Sequence, residues 1–390
     1  MLSGGKQIVV VGAGVAGLAV ATALARRGAR VRVLEQAAEI SEVGAGVQVS
    51  PNGGAVLRAL GVRVAGTKAG AVVLRNGADG RTVLRMDLAR LRPDQDYVFV
   101  HRADLISGLQ AAAEAAGAEI ALNQRVTGVD LSGDQPLIST ERGPEACDLL
   151  VGADGLHSQV RTALNGGQVP FFTGQVAWRA LIPCEPGAPE EAEVFMGPGR
   201  HLVSYPLRGG ALRNIVAVEE RRDWTMEGWT QKGDAAQMRQ AFEAFDPKVR
   251  VWLDQVGEVG LWGLFRHEVA LSWSRATASG GVAILGDAAH PTLPFLAQGA
   301  CLALEDAFVL ARELDRGAGM QAALSAYQTA RLARAQRAVA AANGSARAYH
   351  LREPLRAFAH LGLRVFGRLA PGFALSRFDW LYGHDVTAQP

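Results

Sequence analysis

The chain has 390 residues, with 49% hydrophobic and 20% charged side chains, a composition that excludes global disorder and can bury a large core. This length exceeds one ordinary core and suits two closely packed domains. The 40 basic and 38 acidic side chains give a net charge of +2, too weak a field to favour nucleic acid or a membrane surface as partner. The three cysteines are far apart and match no metal-ligand spacing. We therefore expect a cytoplasmic protein with reduced thiols, no metal site and no transmembrane helix.

The first 35 residues have the pattern of a nucleotide-binding βαβ unit. Residues 7–11 are β-branched and followed at once by glycine, as expected of a buried parallel strand. An alanine-rich helix is predicted over 15–27 and a second strand over 31–35. Between them, Gly12 allows a tight turn, Gly14 lets the backbone approach a pyrophosphate, and Gly17 lets the helix pack on the strand. The N-terminus of the helix would then bind the phosphates.

Glu35 lies at the end of the second predicted strand, 18 residues after Gly17. A carboxylate at this place accepts hydrogen bonds from both ribose hydroxyls of an adenosine and disfavours a 2′-phosphate. The unit therefore predicts FAD or NAD as the bound dinucleotide and excludes NADP at this site.

The α/β order is interrupted twice along the chain. After a helix that ends at Gly61, residues 72–100 have the pattern of antiparallel strands with a turn at Asp79-Gly80. A helix over 103–116 and strands at 118–122 and 149–151 restore the order. The second interruption is predicted to contain strands at 175–182, 194–196, 202–205 and 214–218 and a helix near 234–245. A buried strand at 282–285, a helical stretch from Ala300 to about Ala342 and a basic, mainly helical tail complete the chain.

These patterns predict a Rossmann-like α/β domain with an inserted, mostly antiparallel β-sheet domain and a helical C-terminal tail. The cofactor domain would comprise residues 1–71, 98–171 and 271–342, the substrate domain 72–97 and 172–270, and the tail 343–390. We expect the tail to pack on the core, with a second subunit as the alternative, so a monomer and a homodimer both stay open.

Two further predicted strands also end in glycine and an acid. Gly152-Ala153-Asp154-Gly155 follows the strand at 149–151, and Gly286-Asp287 follows the strand at 282–285. All three turns would meet at the carboxyl ends of one sheet, where such folds bind ligands. Because an NAD dehydrogenase would continue with further βαβ repeats, the arrangement favours FAD. A simpler role for Asp154 is to cap the helix that starts near Leu156.

Together the three motifs resemble those of the single-component FAD-dependent aromatic hydroxylases, which share the para-hydroxybenzoate hydroxylase fold. The resemblance covers residues 7–310. It implies that Asp287 holds the ribityl chain of FAD, that the helix after it lies beneath the flavin, and that Arg102 lies beside FAD. His290, before Pro291, is expected to shape this loop. The cofactor-binding residues that we predict are Gly12, Gly14, Ala16, Gly17, Glu35, Gln48, Arg102, Asp154, Asp287, Pro294, Gly299 and Ala300.

The resemblance also implies a reaction. In this family NADH or NADPH reduces FAD, oxygen adds at the flavin C4a position to give a hydroperoxide, and its terminal oxygen passes to an electron-rich aromatic ring. The protein orients the reactants, excludes water and adjusts their protonation. No second dinucleotide motif is present, so the nicotinamide would bind transiently. Since a phenolate is the most reactive ring, the site should hold a base for the phenol proton.

Two stretches are similar to the branch that contains 3-hydroxybenzoate 6-hydroxylase, salicylate hydroxylase and 6-hydroxynicotinate 3-monooxygenase. On a strand predicted within residues 200–208, His201 and Tyr205 lie on one face because they are four residues apart. In the loop 294–300, Gln298 lies next to the flavin. By this resemblance His201 acts on the substrate phenol, and Tyr205 and Gln298 position the ring.

Position alone favours a simpler interpretation, in which His201 is a half-buried strand histidine and Tyr205 a core aromatic. The loop also departs from the family, since Ala297-Gln298-Gly299 replaces the Gly-Gln-Gly of many members, and the extra methyl constrains the backbone. The sequence predicts an FAD-dependent monooxygenase of a phenolic acid of the salicylate or 3-hydroxybenzoate type. The alternatives are a non-oxygenating FAD-dependent reductase or dehydrogenase of a hydrophobic substrate, and an FAD-binding regulator without activity.

Overall fold

The computed structural model describes residues 5–40, 46–222, 232–317 and 319–388. The strands in these ranges are, in chain order, β1 Gln7–Val11, β2 Arg30–Leu34, β3 Gly46–Val49, β4 Thr67–Lys68, β5 Ala71–Asn76, β6 Thr82–Asp87, β7 Val98–His101, β8 Glu119–Ala121, β9 Val126–Asp130, β10 Leu137–Thr140, β11 Gly143–Ala146, β12 Leu149–Gly152, β13 Phe171–Pro183, β14 Glu191–Gly197, β15 Arg200–Leu207, β16 Leu212–Glu220, β17 Gly260–Arg266, β18 Ser274–Ala276 and β19 Gly281–Ile284.

The α-helices in the same ranges are α1 Val15–Ala25, α2 Pro51–Ala59, α3 Leu88–Leu91, α4 Arg102–Ala115, α5 Gln159–Asn165, α6 Ala235–Ala241, α7 Pro247–Asp254, α8 Gly299–Asp315, α9 Met320–Tyr349, α10 Leu355–Leu369, α11 Phe373–Ser376 and α12 Asp379–Tyr382. Single 3₁₀ turns lie at Arg208–Gly210, Gly286–Ala288 and Pro294–Leu296. None of these helices is both long and apolar enough to cross a bilayer.

A six-stranded sheet forms the cofactor half of the protein. Its strand order is β18-β19-β12-β1-β2-β8, parallel throughout except for β18. Its central strands are apolar along their length because helices or loops cover both faces, as expected of a parallel sheet. The strands β1, β12 and β19 are neighbours, so the three turns that follow them lie side by side at one edge. This confirms the predicted Rossmann-like sheet and the meeting of its three motifs.

A seven-stranded sheet forms the second half, in the order β17-β13-β16-β15-β14-β5-β6. All of its pairs are antiparallel except β14 with β5, which confirms the expectation of a mostly antiparallel sheet. The helices α6 and α7 cover one face through Met238, Phe242 and Trp252. The hairpin β5–β6 belongs to this sheet although it precedes the rest by about a hundred residues. The exact domain boundaries stay a prediction.

The predicted helical segments are present but differ in detail. The stretch predicted to be helical from Ala300 to about Ala342 contains two helices, α8 and α9, separated where Gly317 and Gly319 have positive φ angles of 78° and 92°. The helix predicted near 234–245 is α6, which ends at Ala241, and α7 begins at Pro247, whose missing amide is tolerated at the start of a helix. Two small sheets, β11-β10-β9 and β3-β7-β4, were not predicted in this form.

Candidate active site

The glycine turn after β1 is closely packed at Gly12 and Gly17 but has open space beside Gly14. Gly12 has a φ of +100°, and a Cβ there would lie 2.5 Å from the carbonyl oxygen of Ala153. A Cβ at Gly17 would overlap the carbonyl oxygen of Gly12, whereas one at Gly14 would meet nothing within 4 Å. The three glycines thus have the separate roles that the motif implies, and the space beside Gly14 at the start of α1 fits a pyrophosphate.

Glu35 follows β2 and holds this turn in place. Its carboxylate accepts hydrogen bonds from the amide of Ala13 at 2.8 Å and from that of Ala37 at 2.9 Å. The side chain is part-exposed, so a ribose can still approach it.

The second and third motifs contact the first directly. The turn at Ala153 and Asp154 packs against Gly12, and a Cβ at Gly286 would lie 3.0 Å from the Cβ of Ala16. Arg161 joins the second motif to the third, because its guanidinium donates to the carbonyl oxygens of Ala288 and Ala289. The three motifs therefore form a single continuous surface.

Asp154 caps α5. Its carboxylate accepts hydrogen bonds from the hydroxyl of Ser158 at 2.5 Å and from the amide of Gln159 at 2.7 Å, and burial raises its pKa. The simpler of the two expected roles is thus observed, and its contact with a cofactor stays a prediction.

Asp287 and Arg102 lie beside these turns. Asp287 is exposed to solvent, yet the surrounding protein removes enough of its hydration to raise its pKa, against the opposing effects of His290 and Arg102. The carboxyl is therefore accessible to a ligand although protein surrounds it. Arg102 begins α4, as predicted, and its charge faces this carboxyl.

The loop after Asp287 is held in place by two buried side chains, His290 and Gln298. His290 is fully buried and bonds to Asp306 at 2.5 Å, so it shapes the loop as expected. Gln298 is also buried: its amide oxygen accepts from Asn52 at 3.0 Å and its amide nitrogen donates to Ser50 at 2.8 Å. The Gln298 side chain thus anchors the loop to the start of α2, and its predicted contact with substrate stays a prediction. Pro294 opens the 3₁₀ turn in this loop.

The start of α8 is not closely packed. A Cβ at Gly299 would meet nothing within 4 Å, and Ala300 is half-buried beside it. Gly299 therefore has room for a ligand beside it.

His201 on β15 is buried and lies against the same loop. Its ring packs edge-on against Phe295 with a centroid separation of 5.1 Å. Its Nδ1 is 2.7 Å from Nε2 of His350, whose Nδ1 is 2.9 Å from Oε1 of Glu220. Burial, and next the neighbouring His350, hold the pKa of His201 well below its usual value.

Tyr205 lies four residues after His201 on β15. Its ring stacks on Phe99 at a centroid distance of 4.9 Å, and burial raises its pKa, so it stays protonated. Gln48 on β3 interacts with Tyr205 and accepts a hydrogen bond from Tyr97 at 2.7 Å. Gln48 therefore lies where the β3-β7-β4 sheet meets β15 of the seven-stranded sheet, beside Tyr205, the predicted ring-positioning residue.

The structure thus brings the glycine–acid turns together, and it joins His201 to their loop through Phe295. His350 and Glu220 were not predicted from the sequence. They are 149 and 130 residues from their hydrogen-bond partners His201 and His350, respectively, and no spacing or motif marks either of them.

In this Rossmann-like sheet, the turns that follow β1, β12 and β19 form one surface. This arrangement defines a dinucleotide-binding flavoprotein fold. Residues 6–342 match the family model described as FAD binding domain. The chain belongs to this FAD-binding-domain family.

Relatives named as aromatic hydroxylases match nearly the whole chain. The 3-hydroxybenzoate 6-hydroxylase of Polaromonas naphthalenivorans is 33% identical over 398 residues, covering 97% of this chain and 96% of the relative. The 6-hydroxynicotinate 3-monooxygenase of Bordetella bronchiseptica is 31% identical, covering 100% and 98%. The 3-amino-4-hydroxybenzoate 2-monooxygenase of Streptomyces cremeus is 36% identical, covering 88% of each chain.

Solved structures share the fold. A salicylate hydroxylase substrate complex superposes with a TM-score of 0.81 at 22% identity, covering 98% of this chain and 96% of the other. Klebsiella pneumoniae HpxO complexed with FAD and uric acid gives 0.82 at 24% identity, covering 95% and 96%. The predictions of family, fold, FAD as cofactor and an FAD-dependent aromatic hydroxylase as enzyme class are confirmed.

Proposed function

We propose that this enzyme hydroxylates a monocyclic phenolic acid of the 3-hydroxybenzoate, salicylate or 6-hydroxynicotinate type. The observation that carries the proposal is the contact between His201 and Phe295. It puts a buried imidazole from the antiparallel sheet against the loop that follows the Gly286-Asp287 turn. A ring held between this sheet and the cofactor would have its phenol next to a base.

FAD would be held by the three turns. Gly12 and Gly14 would bind the pyrophosphate, Glu35 the adenosine ribose, and Asp287 with Arg102 the middle of the cofactor. Bound FAD supplies the oxygen-transferring chemistry, with NADH or NADPH as a transient reductant. The other cofactor contacts in this proposal are Ala16, Gly17, Gln48, Asp154, Pro294, Gly299 and Ala300.

The chain's own residues would prepare the ring. His201 would accept the phenol proton at Nε2, since its Nδ1 is already bonded to His350. Tyr205, held neutral and stacked on Phe99, would donate a hydrogen bond that orients the ring. Gln298 would contribute by holding its loop against α2.

The direct test is turnover of the purified FAD-loaded enzyme. NADH and NADPH oxidation should be measured with 3-hydroxybenzoate, salicylate, 6-hydroxynicotinate and 3-amino-4-hydroxybenzoate, together with ¹⁸O incorporation from oxygen into the product. At least one acid should both stimulate oxidation and become hydroxylated. Stimulated oxidation that yields only hydrogen peroxide or a reduced product with every acid would favour a non-oxygenating reductase and refute the proposal.

A second prediction concerns His201. We expect His201→Ala to lower turnover of the best acid at least about tenfold, because a positioned acid–base group contributes roughly that much or more. FAD content and the dissociation constant of the acid, measured by flavin fluorescence, should change little. Unchanged turnover in this variant would remove His201 from the reaction.

A further inference from the structure

A hydrogen-bonded chain leads from His201 to the protein surface. His201 and His350 are buried, while the side chain of Glu220 is 42% exposed. The two links measure 2.7 Å and 2.9 Å, both within the range of good hydrogen bonds. The chain joins the C-terminal end of α9 to two neighbouring strands, β15 and β16.

The carboxylate of Glu220, at the exposed end of this chain, determines which ring nitrogens of His350 and His201 carry a proton. An ionised carboxylate only accepts, so Nδ1 of His350 donates to Glu220 and Nε2 of His350 is left as an acceptor. His201 must then donate from Nδ1 to this nitrogen. The Nε2 of His201 is consequently unprotonated, which is the form that can take a proton from a phenol.

A buried imidazole that accepts a proton must also lose it. Burial is the largest cause of the lowered pKa of His201, so an imidazolium at this place is costly and short-lived. Burial also lowers the pKa of His350, although Glu220 opposes that effect. The proton therefore needs an outlet to solvent, and Glu220 is the first exposed group along the chain of bonds.

We propose that His350 and Glu220 relay the substrate's phenol proton from His201 to solvent. As Nε2 of His201 takes the phenol proton, its Nδ1 proton moves to Nε2 of His350, and the Nδ1 proton of His350 moves to the carboxylate of Glu220, which releases it to water. No electrons are transferred and each ring ends neutral. The inference rests on the proposed function and adds two positioning residues to it.

Among the residues that the structure describes, two arginines and a tyrosine lie beside this relay. Arg200 lowers the pKa of His350, and Nη2 of Arg352 lies 3.5 Å from Oε2 of Glu220. Tyr349, which packs against His201, has its pKa raised to about 12 by burial and stays protonated. Arg200 thus disfavours an imidazolium at His350, and Arg352 lies beside the outer end of the relay.

The relay can be tested without turnover. Mixing oxidised, anaerobic enzyme with 3-hydroxybenzoate and following the ultraviolet difference spectrum reports ionisation of the bound phenol. We expect Glu220→Gln and His350→Phe to slow this ionisation roughly tenfold and to change its pH profile, while the dissociation constant stays within about twofold. Added imidazole or formate should partly restore the rate. Glu219→Gln, on the neighbouring residue of β16, is the matched control and should behave as wild type.

The outcomes separate the relay from the function. If wild type and His201→Ala ionise the phenol alike, the proposed role of His201 fails. If His201→Ala abolishes ionisation but Glu220→Gln keeps the wild-type rate and pH profile, only the relay is wrong. Because Glu220 is at the surface, Glu220→Gln gives this answer even if His350→Phe does not fold.

A second and independent observation concerns the outer face of α10. Its inner face packs on the antiparallel sheet, with His360 buried and Gly367 directly above Leu84 of β6. The opposite face and the start of α11 expose seven large apolar side chains by between 45% and 80%. These are Leu355, Phe358, Leu361, Val365, Phe366, Leu369 and Phe373.

The size of this apolar face matches half of a protein interface. With side-chain areas of about 150–250 Å² for aromatic residues, it exposes on the order of 700 Å². This exceeds the roughly 300–600 Å² of the largest patch on a typical monomer and approaches the about 800 Å² that each partner contributes to a standard interface. Helical spacing places Arg364 and Arg368 at the border of this face. The rim of a protein interface is commonly polar or charged in the same way.

We infer that the α10 face binds the same face of a second copy of this chain. Sedimentation equilibrium of the FAD-loaded enzyme should give a dimer, and the double variant Phe358→Ser/Phe366→Ser should be monomeric at the same concentration. Leu271→Ser, an equally exposed leucine elsewhere, is the control and should stay dimeric. A monomeric wild type, or a dimer that survives the double substitution, would overturn the inference. Binding of the wild type to anionic vesicles, lost in the double variant, would assign the face to lipid instead.

Discussion

At the scale of single residues, the glycines of the first turn differ in what they contact. A Cβ at Gly14 enters open space, and its extended backbone suits any residue, so Gly14→Ala should leave the apoprotein within about 0.5 kcal/mol of wild type. The methyl would occupy the space for the pyrophosphate, so we expect FAD affinity, measured by flavin fluorescence, to fall at least about tenfold, or 1.4 kcal/mol.

Gly17→Ala is the contrasting variant. Its Cβ would overlap the carbonyl oxygen of Gly12, and overpacking of this kind costs about 1–3 kcal/mol of unfolding free energy in urea denaturation. Equal stability of the two apoproteins would contradict the packing seen here.

Ala297 adopts a backbone conformation that favours glycine. Its φ of +53° and ψ of +38° lie in the left-handed region, where a Cβ costs roughly 1–2 kcal/mol. Since glycine loses more entropy on folding, we expect Ala297→Gly to raise the free energy of unfolding by about 0.5–1 kcal/mol. Ala112→Gly, within α4, should instead lower it by about the same amount. Denaturant titration of both variants distinguishes backbone strain from a general effect of glycine.

At the scale of elements, an ion cluster between α8 and α9 supports the loop that follows Gly286-Asp287. Arg331 lies 2.6 Å from Glu305 and 2.7 Å from Asp306, and all three are fully buried. Arg331→Met would leave two buried carboxylates short of a partner and should destabilise the protein by about 3–5 kcal/mol. Arg347→Met, exposed on the same helix, is the control and should change the free energy of unfolding by less than about 0.5 kcal/mol.

The same cluster predicts a pH dependence. Burial alone would raise the pKa of Asp306, but His290 and Arg331 outweigh it and lower the value from 3.8 to about 2. The folded state then binds this proton more weakly than the unfolded chain, so the carboxylate stabilises the fold above about pH 4 and loses that effect as the pH falls towards 2. Asp306→Asn should flatten this part of the stability profile. An unchanged slope would show that other groups control acid unfolding.

The helices also show where sequence patterns were sufficient and where they were not. The first strand, helix and strand were predicted to within about two residues, because the glycines and the apolar run act locally. The break between α8 and α9 lies at Gly317 and Gly319, both of which have positive φ angles, whereas the sequence analysis predicted only that this stretch is helical. The sheets β11-β10-β9 and β3-β7-β4 depend on pairing between distant strands, which local patterns do not encode.

At the scale of the whole molecule, the two halves of the site differ in how far they were predictable. The three turns follow neighbouring strands of one sheet, so motif and topology together predicted that they would meet. The relay residues His350 and Glu220 come from α9 and β16, and only the folded structure brings them to His201. The tail was expected to cover the core, yet one face of α10 packs on the sheet and the other is apolar and exposed.

Binding of FAD should also raise the free energy of unfolding of the whole chain. Its turns follow β1, β12 and β19, so unfolding the sheet destroys the site, and FAD should bind only the folded state. At a free FAD concentration of 100 times its dissociation constant, the gain is about 2.7 kcal/mol. For a chain of this size, the melting temperature should rise by about 3–5 °C. At the same FAD concentration, a tenfold weaker affinity leaves Gly14→Ala at about 10 times its own dissociation constant, so its gain should fall to about 1.4 kcal/mol or less while its packing is intact. If that variant gained as much as wild type, the pyrophosphate would have to bind somewhere other than beside Gly14.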